Sequence, residues 1–360
     1  MFCTHSLYRQ DIKLAAGLSF IPWDKLHGTS ILVTGATGLI GTCLIDILME
    51  RNQMHVESPI TVFALGRSHD RLHQRFADYE ANPNFHYVIQ DIRDPLPDDL
   101  SFTYMINGAS HAHPAAYAKD PVGTILINIQ GLTSLLSHAI AHNTKRVLEV
   151  TSIEVYGQNR GDVEAFDESY CGFIDCNTAR AGYPESKRVC EALCQSYRNQ
   201  YGLSICIARP SRVYGPTMLQ EDNKATAQFI HNVLKGEDIV LKSDGKQRYS
   251  YTYMLDVATA FLTILLNGED GQAYNVADAG SIVTLGGLAE KMAEQNHCHV
   301  RYEIPSQTES AGFSHLKDGV MNADKLGTLG WRALVPMEDG ITKTIRILAD
   351  SEQSGGNNPA

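Results

Sequence analysis

Ile31-Leu32-Val33-Thr34-Gly35-Ala36-Thr37-Gly38-Leu39-Ile40-Gly41 places three glycines at spacing three between an apolar run and an amphipathic one. Residues 31–34 read as a short β-strand. Residues 39–51 read as a helix, with Leu, Ile and Met on its inner face. Glycine permits positive φ and lets backbone approach a ligand closely. The helix that follows offers unpaired N–H groups and a positive dipole end, which suit phosphate oxygens. Glycine spacing alone is common, but a strand before it and a helix after it make a dinucleotide-binding turn. Gly35, Thr37, Gly38, Leu39, Ile40 and Gly41 are therefore candidate cofactor contacts.

The same alternation continues outward. Strands are predicted over 60–65, 85–90, 102–106, 146–150 and 203–208, with long helices over 121–142 and 183–201. This order predicts an α/β fold, a doubly wound parallel sheet with helices on both faces. After Arg212 the pattern turns to loops and short helices, interrupted by an apolar helix over 256–267 and a strand over 273–276 that returns to the main sheet. The expected division is an N-terminal extension (1–28) and a Rossmann-type cofactor domain (29–212 and 251–279). A smaller, discontinuous α+β substrate-binding lobe (213–250 and 280–348) and a flexible tail (349–360) complete it. Open α/β sheets bind ligands beyond the C-terminal ends of their strands, and the smaller lobe would close over that edge.

Composition bounds the partners. The chain has 360 residues, 43% hydrophobic, with a net charge of −11. Such a chain is long enough for a sizeable core. It is a poor candidate for coating nucleic acid or an anionic membrane, though a few local cations suffice for a phosphorylated small molecule. Eight cysteines show no CxxC and no zinc-type spacing, so a reducing cytoplasm is expected. No stretch reads as membrane-spanning, and the apolar segment 14–21 reads as part of a folded extension rather than a leader.

The second strand usually ends in an acid that binds the ribose 2′-hydroxyl of NAD. Here Ala64-Leu65-Gly66-Arg67-Ser68 has Gly66 at that place, while Arg67, with Arg71 beyond it, is suited to a 2′-phosphate. The cofactor is read as NAD(P), leaning to NADP. Asp91 and Ile92 are placed to meet adenine, and Ala109 and Ser110 to run beside the pyrophosphate. Tyr183-Pro184-Glu185-Ser186-Lys187 sets Tyr and Lys on one helical face. A nearby ammonium favours the phenolate, making Tyr183 a candidate base.

Through these motifs the chain resembles the extended short-chain dehydrogenase/reductase family of NAD(P)-dependent nucleotide-sugar epimerases and dehydratases, from about Ile31 to Leu348. The resemblance rests on Thr34 to Gly41, Thr151-Ser152-Ile153-Glu154-Val155-Tyr156-Gly157, Tyr183 to Lys187, Arg209 to Pro216 and Tyr253 to Asp256. Arg180-Ala181-Gly182-Tyr183, Lys187-Arg188, Glu191 and the Glu154-Val155-Tyr156-Gly157 run look closest to UDP-glucuronate decarboxylases. The resemblance implies Tyr183 as base, Lys187 on the nicotinamide ribose, Ser152 on the sugar C4 oxygen, Glu154 assisting at C5, and Pro210 near the cofactor. It implies transient oxidation of the sugar at C4, followed by decarboxylation, epimerisation or dehydration, and a homodimer through helices 121–142 and 183–201. A catalytically silent, cofactor-sensing binding protein is the alternative from another class.

Three departures from the family pattern stand out. Ile153 takes the place of the acid that dehydratases use to protonate the leaving C6 hydroxyl. Arg212 stands where relatives have Asn. In Gly245-Lys246-Gln247-Arg248-Tyr249 the diphosphate-binding arginine is one place early, so either a bulge restores Arg248 or Arg212 replaces it. Arg212, Arg248 and Tyr249 are the candidate substrate contacts. Tyr249, Tyr251 and Tyr253 alternate and share one face of a strand, with Tyr253 expected in the core. His111-Ala112-His113-Pro114 has no third ligand in sequence, so no metal is expected.

Overall fold

A computed structural model of the protein describes residues 2–111, 119–303 and 318–355. Among these residues, seven strands form one parallel sheet. They are β1 (Ser30–Thr34), β2 (Thr61–Gly66), β3 (Phe85–Ile89), β4 (Tyr104–Asn107), β5 (Arg146–Val150), β6 (Ile205–Pro210) and Ala273–Val276 (β10). Their spatial order is β3-β2-β1-β4-β5-β6-β10, so the winding reverses between β1 and β4. The strand expected to return to the main sheet does so beside β6. The Rossmann-type α/β reading is thus the observed fold.

Strands of such a sheet are covered on both sides and are apolar nearly throughout. Alternation along β1 sends Ile31 and Val33 into one core and Leu32 into the other. The first core lies under α1 (Ser6–Ala16), α2 (Leu39–Met54) and the helix Met254–Asn267. The second lies under α4 (Pro121–Ala141) and α5 (Gly182–Tyr201), which pack along each other; the short α3 (His69–Phe76) flanks β2. Composition alone makes α4 long and apolar enough to cross a membrane, contrary to the reading that no stretch is, but half of that window is buried inside the protein.

A second sheet joins β7 (Arg212–Tyr214), β9 (Arg248–Tyr253), β11 (Ile282–Thr284) and β13 (Asp318–Gly319). A small ladder pairs β8 (Ile239–Leu241) with β12 (Val300–Tyr302). Pairing along β9 is unbroken, with Arg248 and Tyr249 against β13 and residues 251–253 against β7.

The N-terminal extension is built into the body. Tyr8 donates to Asp46 on α2 at 2.5 Å, and buried Asp11 accepts from Tyr253 at 3.0 Å and from Lys343 at 2.5 Å. Of the tail expected over 349–360, residues 349–355 lie in the last helix, Met337–Gly355, anchored by buried Ile341, Thr344 and Ile347, with Asp350 3.0 Å from His5; residues 356–360 fall outside the described residues. An amphipathic helix with a seated apolar face propagates past its last anchor, because each further residue adds a backbone hydrogen bond.

Candidate active site

The C-terminal ends of β1 and β4 flank the winding reversal, where the glycine loop sits, with the ends of β5 and β6 next in line. Gly35 has φ +66°, and a Cβ on it would lie 2.7 Å from the Gly108 carbonyl oxygen. A Cβ on Gly41 would lie 2.4 Å from the Gly35 oxygen, so only glycine lets the first turn of α2 press against the loop. Gly38 caps α2, and its N–H donates to Gly35 at 3.0 Å. Thr34 Oγ1 accepts from the N–H groups of Gly108 and Ala109, both at 3.1 Å, and so fixes the two loops together. The result is a backbone-lined cradle at a helix N-terminus, which fits a pyrophosphate.

The other expected cofactor residues ring this cradle. Thr37, Leu39 and Ile40 continue the loop into α2. Asp91 follows β3, with its carboxylate gripped by Arg93 at 2.8 and 3.0 Å, which pulls its pKa down to about 2. Ile92, next in the chain, is buried. Ser110 Oγ is buried and has no hydrogen-bond partner among the described residues, so it fits as a donor to a ligand. Pro210 closes β6. Arg67 is exposed and near enough to Asp91 to lower its pKa, whereas Arg71 is held 2.8 Å from Glu221. His111 Nδ1 lies 3.3 Å from Thr124 Oγ1; His113 and Pro114 fall outside the described residues.

The four expected catalytic side chains converge from two elements. Ser152 begins the short turn Ile153–Tyr156 after β5, its Oγ accepting from the Glu154 N–H at 3.2 Å. Tyr183, in the first turn of α5, shares a side-chain hydrogen bond with Ser152. Lys187, one turn later, is buried and donates to the Val150 carbonyl at 2.7 Å. Burial holds the Tyr183 hydroxyl above its ordinary pKa, while the Lys187 ammonium, the Ser152 hydrogen bond and Arg180 pull the other way. Glu154 faces Arg180 at 3.9 Å, and Ile153 is buried.

Two groups at this centre are not among the expected site residues. Arg180, quoted above only for the family resemblance, lies one turn before Tyr183. Glu149 interrupts the apolar run of β5 and lies wholly buried, with a carboxyl oxygen 3.5 Å from Lys187 Nζ. A charged residue in the interior of a parallel strand is a signal visible in sequence.

On the second sheet, Arg212 stands on β7 in register with Tyr251, and its guanidinium lies 3.8 Å from the Tyr249 ring centroid. Tyr249, Tyr251 and Tyr253 are all buried. Arg248 alternates to the opposite face and forks onto Asp318 at 3.0 and 3.1 Å.

Comparison with known proteins agrees with this geometry. Residues 31–277, more than half of the chain, match the NAD dependent epimerase/dehydratase family. UDP-glucuronic acid decarboxylase 5 of Arabidopsis thaliana is 30% identical over 311 residues, covering 86% of each chain. UDP-glucuronic acid decarboxylase 1 of Xenopus tropicalis is 29% identical over 330 residues, 91% of this chain and 74% of the relative. A dTDP-glucose 4,6-dehydratase from Streptomyces venezuelae, solved with NAD bound, matches with a TM-score of 0.76 at 24% identity, covering 90% of this chain and 98% of that one. UDP-glucose 4-epimerase from Thermotoga maritima, solved with UDP-glucose, matches with a TM-score of 0.75 at 22% identity, covering 90% and 99%. Structural likeness at these identities concerns the fold.

Proposed function

The chain belongs to the NAD dependent epimerase/dehydratase family, and from that premise we propose that it remodels the sugar of a nucleotide-sugar through a transient 4-keto form, with decarboxylation of a UDP-uronic acid as its reaction. The observation that carries this reading is the pairing of Glu154 with Arg180 beside the Tyr183–Ser152 hydrogen bond, with buried Ile153 between Ser152 and Glu154. A β-keto acid loses CO2 without an acid at residue 153, whereas loss of a C6 hydroxyl needs a proton donor that Ile153 lacks.

A nicotinamide cofactor, its pyrophosphate held by the glycine cradle, would supply the transient oxidation at sugar C4 and its reversal. The residues do the rest. Tyr183 takes the C4 hydroxyl proton, with Lys187 stabilising the phenolate and Ser152 holding the C4 oxygen. When the C5–C6 bond breaks and CO2 leaves, its electron pair moves onto the C4 oxygen as an enolate. Ser152 and protonated Tyr183 then donate hydrogen bonds to that oxygen. A proton returns to C5 before C4 is reduced, and Glu154 orders the water that delivers it. Arg180 balances the Glu154 charge and is within reach of a substrate carboxylate. Arg212, stacked on Tyr249, grips the diphosphate.

The finer reading includes NADP through Arg67, because Arg71 is engaged with Glu221. It includes a cytoplasmic homodimer through α4 and α5, on which Val122 and Val189 are exposed. Incubation with UDP-, dTDP-, GDP- and CDP-sugars, followed by mass spectrometry, tests the reaction. Loss of CO2 from UDP-glucuronate is expected; an isomer, loss of water or no change replaces the reading with epimerase, dehydratase or a binding protein.

A further inference from the structure

The buried carboxylate behind the catalytic lysine has no part in the mechanism above. Glu149 lies in the middle of the parallel sheet with its side chain wholly covered, and Lys187 beside it is only 3% exposed. Burying either charge alone is strongly unfavourable, and the pair is tolerable only when its remaining hydrogen-bonding capacity is satisfied. Here it is satisfied by a chain that crosses three strands. Asn107 Nδ2 on β4 donates to Glu149 Oε2 at 2.6 Å. Thr34 Oγ1 on β1 donates to Asn107 Oδ1 at 2.7 Å, and the same Thr34 oxygen accepts from Gly108 and Ala109 at the cofactor cradle. At the other end, Lys187 is held by the Glu149 carboxylate and the Val150 carbonyl together.

We propose that Glu149 is a positioning residue for Lys187, giving the buried ammonium its counter-charge and, through Asn107 and Thr34, tying the lysine to the loops that cradle the cofactor. This rests on the reading of Tyr183 and Lys187 as the proton-transfer pair. The titratable groups facing the ion pair are Tyr183, Cys190, Glu191 and Cys194 on α5; Glu191 is neutralised by a fork onto Arg209 of β6 at 2.6 and 2.9 Å. From β4 the facing group is the uncharged Asn107. Burial pushes the Glu149 carboxyl up to about 7, and the Glu149 charge holds Lys187 above its ordinary value against burial. Without that charge, burial would drive the lysine toward its neutral form as pH rises.

Glu149→Gln in the full-length protein tests this in two ways. Fluorescence titration of NADH between about pH 6 and pH 10 needs no sugar. Turnover is followed with whichever nucleotide sugar the wild type converts. Expected is a fall in kcat of roughly tenfold at neutral pH with little change in KM, as for loss of a group acting on the transition state. A new alkaline limb below about pH 9 is expected in kcat, with NADH affinity dropping at least about threefold across it, while the wild type stays level. Asn107→Ala leaves the carboxylate in place but removes its donor, and is expected to move the same limb by less. That variant decides the matter if Glu149→Gln does not fold. Profiles superimposable on wild type in the variants that fold overturn the proposal. If the wild type converts no sugar, the reaction reading fails, and the NADH titration still decides the role of Glu149.

Discussion

At the ends of β1 and β4 backbone shapes the site, whereas around β7 and β9 side chains do. The cradle consists of N–H groups and close carbonyl contacts at Gly35, Gly38, Gly41 and Gly108, with Thr34 as the pin. The proposed substrate wall consists of Arg212 over Tyr249, with Arg248 turned away onto Asp318. A backbone cradle demands particular residues at particular spacings, so it changes little among proteins that hold the same cofactor. A side-chain wall can be rebuilt by exchanging one arginine for another across a cleft. The cofactor side is therefore general, and the second sheet is where this chain would differ from its relatives in what it accepts.

The predictions probe that contrast. Tyr183→Phe should lower turnover about 10²–10⁴-fold while leaving NADH affinity within about twofold, measured by steady-state kinetics and fluorescence titration. Undiminished turnover would remove Tyr183 from proton transfer. Gly41→Ala should weaken cofactor binding by about tenfold or more and cost about 1–3 kcal/mol of stability, because its Cβ meets backbone that cannot step aside. Calorimetry and a denaturant midpoint check both.

On the other wall, Arg212→Ala should raise KM for the nucleotide sugar roughly tenfold, with kcat and NADH affinity nearly unchanged. Arg248→Ala should shift KM by less than about twofold, since its partner Asp318 lies near the surface. The reverse ranking would mean that the cleft closes around Arg248 instead. Arg67→Ala should reduce affinity for NADP severalfold (about 1 kcal/mol) and spare NAD; equal losses would erase the lean toward NADP.

A last effect falls on stability alone, where residues 334–335 pack onto the helix Met254–Asn267. Asp256 is buried and accepts from the N–H groups of Leu334 and Val335 at 2.8 and 3.2 Å, yet burial pushes its pKa up to about 7. A carboxyl whose pKa is raised by folding contributes stability below its unfolded value near 4, and that contribution fades as pH rises through about 7. The fading of this contribution should therefore lower the melting temperature between about pH 4 and pH 7, and Asp256→Asn should flatten that fall.

Sequence determined the parts that depend on local order. Three glycines between a strand and a helix, the Tyr183–Lys187 spacing on one helical turn, and alternating strands and helices each follow from a few adjacent residues. Pattern also brought out β10 as a strand of the main sheet and α4 and α5 as long helices, because burial sets their periodicity. Tertiary structure decided what depends on residues far apart in the chain. Arg212 and Arg248 were equal candidates until unbroken pairing along β9 put them on opposite faces, and register is a property of two strands rather than one. Arg180 met Glu154 only once the turn after β5 was laid beside the start of α5. Thr34, Asn107, Glu149 and Lys187, on four separate elements, join only because parallel strands in the order β1-β4-β5 bring their C-terminal ends together. A lone charged letter in an apolar strand signals that something must compensate it; only the folded sheet names the partner.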